Sequence, residues 1–520
     1  MSASRRTLVA GTLVVFLALA VPAARAGEDS PVVEASIADL QAMMEKGEMS
    51  AEAITAAYLD RIERLNPELN AVIVTNPDAL AQARALDKER SEGSVRGSLH
   101  GIPVLLKDNI ESRDRMATTA GSLALAGNVT ERDAYFVALL REAGAVILGK
   151  TNLSEWANFR SERSSSGWSG VGGQTNNPYD PTRNPCGSSS GSGVAASASL
   201  AAATVGTETN GSVVCPATAN GVVGIKPTVG LVSRTGVVPI SHTQDTAGPM
   251  ARSVADAVTL LSAMIGWDKA DPVTEMAGQA AGWILDDHLR SDGLEGKRIG
   301  VVRSLAGFHT EVDRLFDAAI ADLEAGGATI VDDLEFERTE GLGEAAYDVL
   351  LYEFKHDLNA YLAGLPNQEK LPATTLEELI AFNEAHADKE MPHFDQEIFI
   401  KSQAMGPLTD EDYKKALNLV QTTSRQTIDK LLAEHDLDAL IAPTGGPAWK
   451  TDLVNGDHFI GSSSSYPARG GYPNITVPMG AVHGLPVGLS FFASALAEPT
   501  LIEITYAYEQ ATKHRISPNP

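Results

Sequence analysis

The chain has 520 residues, 43% of them hydrophobic, enough for a large buried core in one big α/β domain or two smaller ones. Against 41 Lys and Arg stand 67 Asp and Glu, a formal net charge of −26, which speaks against nucleic acid and anionic membrane surfaces as partners. Two cysteines, Cys186 and Cys215, are too few for a disulfide scaffold.

The first residues read as an export signal. Arg5 and Arg6 precede an almost wholly apolar run over 8–21, and Ala24-Arg25-Ala26 fits a small-x-small cleavage site. The apolar run is shorter than the roughly 20 residues a membrane span needs. The expectation is therefore a signal peptide over 1–26, a mature chain over 27–520 without a membrane span, and a periplasmic or secreted location.

Beyond that, apolar spacing predicts helices over 36–46, 50–65 and 77–93, the first opened by Ser-x-x-Asp. A short buried strand follows over 102–106, then a helix over 133–143 and a strand over 145–148. This alternation points to a layered α/β fold. Residues 161–185, rich in Ser, Gly, Asn and Pro, form a long ordered loop of the kind that lines sites. An Ala-rich stretch over 192–203 predicts a tightly packed helix. Further helices are expected over 253–265 and 311–325, and strands over 297–302 and 328–331. The region 343–435 is helical, charged and broken by Pro366, Pro372, Pro392 and Pro407, an insertion over the sheet and a candidate lid. Strands return over 439–442, 475–478 and 487–492, and a last helix covers 500–512.

Three side chains suggest chemistry. Ser188 lies in Cys-Gly-Ser-Ser-Ser-Gly-Ser-Gly (186–193), Ser212 ends Gly-Thr-Glu-Thr-Asn-Gly-Ser (206–212), and Lys107 follows the apolar strand in Gly-Ile-Pro-Val-Leu-Leu-Lys-Asp-Asn (101–109). A lysine and two serines can make a hydrolytic nucleophile without histidine, provided the lysine is neutral, because an ammonium has no acceptor lone pair. Burial lowers the lysine pKa from about 10.4. Taken alone, Lys107 reads better as a surface lysine paired with Asp108, and 206–212 as an ordinary turn. Gly211 and Asn210 tolerate the backbone geometry that would aim the N–H groups of Thr209, Asn210, Gly211 and Ser212 at one oxyanion. A rival reading makes Ser189 the nucleophile of a Gly-x-Ser-x-Gly elbow over 187–191, which needs a later acid and histidine. The 11 histidines are scattered and no metal, nucleotide or cofactor motif occurs, so no cofactor and no metal are expected. Each cysteine lies within three residues of a candidate serine; two buried thiols and one bridge both remain open.

Together these segments resemble the amidase signature family over roughly 35–515. The 24-residue spacing from Ser188 to Ser212, the closing Gly-Val-Val-Gly-Ile-Lys-Pro-Thr (221–228), Gly-Tyr-Pro-Asn-Ile-Thr-Val-Pro-Met-Gly (471–480) and Leu-Pro-Val-Gly-Leu-Ser-Phe-Phe (485–492) carry the likeness. It implies an α/β/α layered fold with a mixed central sheet, and a triad of Lys107 as base, Ser188 as relay on a cis peptide bond, and Ser212 as nucleophile. It also implies an oxyanion hole from Thr209, Asn210, Gly211 and Ser212, with Thr207 ordering the serines from behind. Asn210, Val213-Val214 and Glu208 depart from the common pattern. The stretches 184–192, 206–216 and 241–252 look more like bacterial peptide amidases, which hydrolyse C-terminal peptide amides to acid and ammonia. The implied partner is a small-molecule or peptide amide; the oligomeric state is not implied. An aryl-acylamide or fatty-acid-amide hydrolase, the amidotransferase component that works on mischarged tRNA, and a non-catalytic amidase-like binder are the alternatives.

Overall fold

A computed structural model describes residues 30–519. The expected signal peptide lies outside the described residues. Among those residues no helix is long and apolar enough to cross a membrane.

An 11-stranded mixed sheet organises the chain. Its strands are β1 (Val72–Thr75), β2 (Pro103–Lys107), β3 (Val146–Thr151), β4 (Ala203–Glu208), β5 (Val223–Lys226), β6 (Thr246–Ala251), β7 (Arg298–Val302), β8 (Thr329–Leu334), β9 (Ala439–Pro443), β10 (Asn474–Val482) and β11 (Leu485–Phe492). Their spatial order is β1-β3-β2-β4-β6-β5-β10-β11-β9-β7-β8. Strands β3, β2 and β4 run parallel, as do β9, β7 and β8, while β4–β6–β5–β10–β11–β9 pair antiparallel. Central strands are buried along their whole length, as a sheet covered on both faces requires.

Several local expectations are met atom by atom. Helix α1 (Ile37–Glu45) opens on a capping box in which Ser36 Oγ accepts from Asp39 N and Asp39 Oδ2 accepts from Ser36 N, each 3.0 Å. Helix α2 (Ala51–Leu69) runs four residues beyond the expected 65, and α3 (Ala79–Ser91) matches its prediction closely. At the helix Val254–Met264, Ser253 caps Asp256 N as its spacing suggested. The Asp256 carboxylate instead accepts from Ile37 N at 2.9 Å, tying this helix to α1 across the core.

The Ala-rich stretch differs from expectation. The helix there spans Ser190–Ser197, and the chain turns at Ser199 (φ 53°) and enters strand β4 at Ala203. Every residue of Ala203–Glu208 is buried in the middle of the sheet; only Ala203 lay in the expected helix, and 206–208 belonged to the expected turn. Strands β1, β5 and β6 were also not foreseen; each is short or built from Gly, Ala, Pro and Met rather than β-branched residues.

Between β8 and β9 the chain forms helices Leu342–Ala363, Leu376–Ala385, Glu397–Ala404 and Glu411–His435, with one short turn of helix between the second and third. The last packs Ile428 against Leu440 and Phe492 of the sheet. The others lie against loops at the strand ends rather than over the sheet: Phe354, Leu358 and Phe399 form one apolar cluster with Trp156, Phe159 and Ile240. The insertion therefore covers the loops that surround the candidate serines. Its anchor is the fully buried Arg160, which donates to the Glu390 carbonyl at 2.6 Å and stacks its guanidinium 4.4 Å from the Phe394 ring centroid.

Candidate active site

Lys107 is the last residue of β2 and is fully buried. Its Nζ donates to Ser188 Oγ at 2.7 Å, to Thr207 Oγ1 at 2.8 Å and to Thr207 O at 3.3 Å. The alternative pairing with Asp108 does not form; that carboxylate accepts from Thr119 instead. Burial pulls the Lys107 pKa down to about 7, and the negative charges of Asp245 and Glu208 only partly oppose it. A neutral amine next to a hydroxyl can accept its proton.

Ser188 is fully buried and follows a cis Gly187–Ser188 peptide bond. Its carbonyl accepts from Ser154 N at 3.0 Å. Ser189 N donates to the carbonyl of Ser212 at 3.1 Å, so the two serine-bearing segments are hydrogen-bonded to each other. Ser189 itself is locked: its Oγ donates to Thr207 O (3.0 Å) and accepts from Thr207 N (3.2 Å), with no histidine among its partners. This arrangement leaves the Gly-x-Ser-x-Gly elbow without a base.

Thr207 joins the pieces, because its Oγ1 also accepts from Asn109 Nδ2 at 3.0 Å. Beyond β4 the chain turns through Gly211, at φ +86°, a conformation that favours glycine. The amides of 213 and 214 both donate to Glu208 Oε2, at 2.8 and 3.0 Å. By contrast, the amides of Thr209, Asn210, Gly211 and Ser212 donate to no group among the described residues. Four free N–H groups in succession are what a developing oxyanion needs. Two side chains hold the turn from outside: Thr209 Oγ1 donates to Asp245 Oδ1 at 2.6 Å, and Asn210 Oδ1 accepts from Ser464 Oγ at 2.8 Å.

Asp245 escaped the sequence reading as a functional residue, although it lies inside the 241–252 stretch. It is buried, with Oδ2 accepting from the amides of Ile240 (2.7 Å) and Ser241 (2.9 Å). Burial raises its pKa to about 6 against these hydrogen bonds. Asn109 and Ser154 were missed as well; nothing in their neighbourhoods marks them apart from the tertiary contacts.

Cys186 and Cys215 are joined in a disulfide. It links the loop before Ser188 to the helix Val214–Ala219 after Ser212. Both cysteines line a cavity of about 360 Å³ that opens on Thr209, Asn210, Gly211 and Ser212 and has Trp449 and Phe459 on its far wall. A second cavity of about 450 Å³ shares Ala157, Thr209 and Ile240 with it but touches none of Lys107, Ser188 and Ser212. The smaller cavity is therefore the one that can present a carbonyl to Ser212.

A buried lysine hydrogen-bonded to Ser188, a row of free amides ending at Ser212 and an adjoining cavity suit a hydrolase of acyl compounds. The chain belongs to the amidase signature family, and its activity is hydrolysis of amide bonds: the family model for amidases matches residues 53–502. It is 43% identical over 499 residues to a probable amidase of Arabidopsis thaliana, covering 94% of this chain and 92% of that protein. Among solved structures, the peptide amidase PAM bound to the competitive inhibitor chymostatin is 50% identical with a TM-score of 0.89, covering 94% of this chain and 99% of that one. The native peptide amidase of Stenotrophomonas maltophilia is 49% identical with a TM-score of 0.88 and the same coverage. The layered α/β fold with a mixed sheet is the fold of these enzymes.

Proposed function

We propose that this chain is an exported peptide amidase that removes the C-terminal amide of peptides as ammonia. The observation that supports it most is the Lys107 Nζ to Ser188 Oγ contact of 2.7 Å, made by a fully buried lysine with a pKa near 7. In the reaction, Ser212 Oγ attacks the amide carbonyl and passes its proton to Ser188, which passes its own to Lys107. The amides of 209–212 take the oxyanion, and Thr207 and Asn109 fix the amine's direction. Lys107 returns the proton through Ser188 to the leaving nitrogen, giving ammonia and an acyl-Ser212. Water then repeats the sequence and releases the acid.

The substrate assignment draws on the 49–50% identity to peptide amidases over nearly the whole chain. The cavity before Ser212, about 360 Å³, falls within the usual range of about 300–1,000 Å³ for small-ligand sites and suits the end of a peptide. Export draws on residues 1–26 and on the Cys186–Cys215 bridge, which suits an oxidising compartment. The test is ammonia release by the purified protein across dipeptide amides, fatty amides and anilides. Fastest turnover of neutral peptide amides supports the assignment; faster turnover of fatty amides or anilides assigns the chain to another branch of the family.

A further inference from the structure

The helical insertion contributes to a cluster of metal-ligating side chains that amide hydrolysis does not use. Asp357, on the helix Leu342–Ala363, lies between two imidazoles. Its Oδ2 is 2.8 Å from His242 Nδ1 and its Oδ1 is 2.8 Å from His356 Nδ1. One ligand atom from each of the three residues falls within 4.8 Å of the others. The group is pre-built: the backbone N–H of His242 also donates to Asp357 Oδ2 at 2.8 Å, which fixes the turn against the helix. A further carboxylate stands behind. His242 Nε2 is 3.7 Å from Glu353 Oε1, and Glu353 is fully buried and held by Tyr413 Oη at 2.8 Å and Thr243 Oγ1 at 2.9 Å.

We propose that His242, His356 and Asp357 form a binding site for a divalent transition metal of the zinc class. Two imidazoles and one carboxylate are a donor set that such ions take with a fourth position open, and they suit zinc better than magnesium or calcium. His242 and Asp357 line the 450 Å³ cavity, which supplies the open side. On binding, the ion replaces the proton at each Nδ1, and each imidazole stays neutral with its proton on Nε2, that of His356 facing solvent. The His242 proton then sits on Nε2 and points at Glu353, the carboxylate–histidine–metal arrangement that fixes a ligand's tautomer. Tetrahedral bonds of about 2.0–2.2 Å require the N–O separations to widen by roughly half an ångström. The His356 side chain, 58% exposed, is free to make that adjustment. The sequence concealed this group because His242 and Asp357 are 115 positions apart.

The site is coupled to the oxyanion turn. His242 lies between Ser241 and Asp245; Asp245 grips the Ser241 amide with one oxygen and Thr209 Oγ1 with the other. An ion that draws His242 toward His356 pulls on this turn, so loading lowers turnover.

Tag-free protein, stripped with chelator and dialysed, is titrated calorimetrically with Zn²⁺, and with Co²⁺ followed by visible absorption. One equivalent binds, Co²⁺ develops the bands of a low-coordinate site, and His356→Ala and Asp357→Asn each weaken Zn²⁺ binding by at least about tenfold. Zinc slows the wild type and leaves His356→Ala unaffected. His356 is at the surface, so its variant keeps the fold. Absence of a saturable single equivalent, or equal affinity in both variants, overturns the site; binding without any change in turnover overturns the coupling.

Discussion

Lys107 touches Ser188 but no acid: its Nζ lies 2.7 Å from the serine Oγ, and its other hydrogen-bond partners among the described residues are the hydroxyl and carbonyl of Thr207. The two carboxylates whose fields raise its pKa, Asp245 and Glu208, make their hydrogen bonds with Thr209 and with backbone amides. The lysine is thus kept buried without a counter-ion, and burial wins: its pKa falls to about 7.

The pH profile follows. The proposed reaction needs neutral Lys107, so kcat/KM should fall with one ionisation as the pH drops through about 7. Lys107→Met should lower kcat by roughly 10²–10⁴-fold and remove that limb. Lys107→Arg should not restore activity, because guanidinium stays charged. An active Lys107→Arg enzyme with an unchanged profile would exclude a lysine base.

Asp245 affects the same profile with a definite sign. Its negative charge raises the Lys107 pKa, so Asp245→Asn should shift the acid limb to lower pH. The same change weakens the Thr209 contact, so kcat should also fall. A limb that stays in place or moves to higher pH would contradict the electrostatic account.

The bridge between Cys186 and Cys215 closes a loop with a sequence separation of 29 and spans the two serine segments. The double variant Cys186→Ser/Cys215→Ser should lose about 3.6 kcal/mol of unfolding free energy in denaturant titration, on the chain-entropy model. It should lose activity too, since both cysteines border the cavity before Ser212. Equal stability and equal turnover would make the bridge incidental.

Much of this architecture was legible in the sequence, and the gaps have physical causes. Periodicity and capping located α1, α2 and the helix at 254 because those elements carry apolar stripes and Ser caps. The strand Ala203–Glu208 was hidden because Thr204, Gly206, Thr207 and Glu208 leave it no apolar run or alternation, although every residue is buried. Lys107, Ser188 and Ser212 stood out only as a set in motifs; the apolar strand before Lys107 allowed its burial but did not distinguish it from a surface lysine paired with Asp108. Asp245, Asn109 and the His242–Asp357 contact depend on segments brought together by folding, and spacing along the chain is silent about them.

Specificity gives a fourth expectation. The cavity before Ser212 is bounded by Trp449 and Phe459, with Trp449 Nε1 donating to Asp457 Oδ1 at 3.1 Å to hold that wall. The proposed peptide amidase activity requires that only a chain end reach Ser212. Mass spectrometry of peptide amides after long incubation should show loss of the terminal amide with every internal peptide bond intact. Internal cleavage products would contradict it.

The central claim is that Ser212 is the nucleophile served by Ser188 and Lys107. Peptide mapping of protein treated with a fluorophosphonate tests it most directly, with Ser212→Ala and Ser188→Ala run alongside. The account predicts one adduct, on Ser212, an inactive Ser212→Ala enzyme that takes up no label, and Ser188→Ala with kcat lowered roughly 10²–10⁴-fold at nearly unchanged substrate binding. An adduct on Ser189, together with an active Ser212→Ala enzyme, would contradict it.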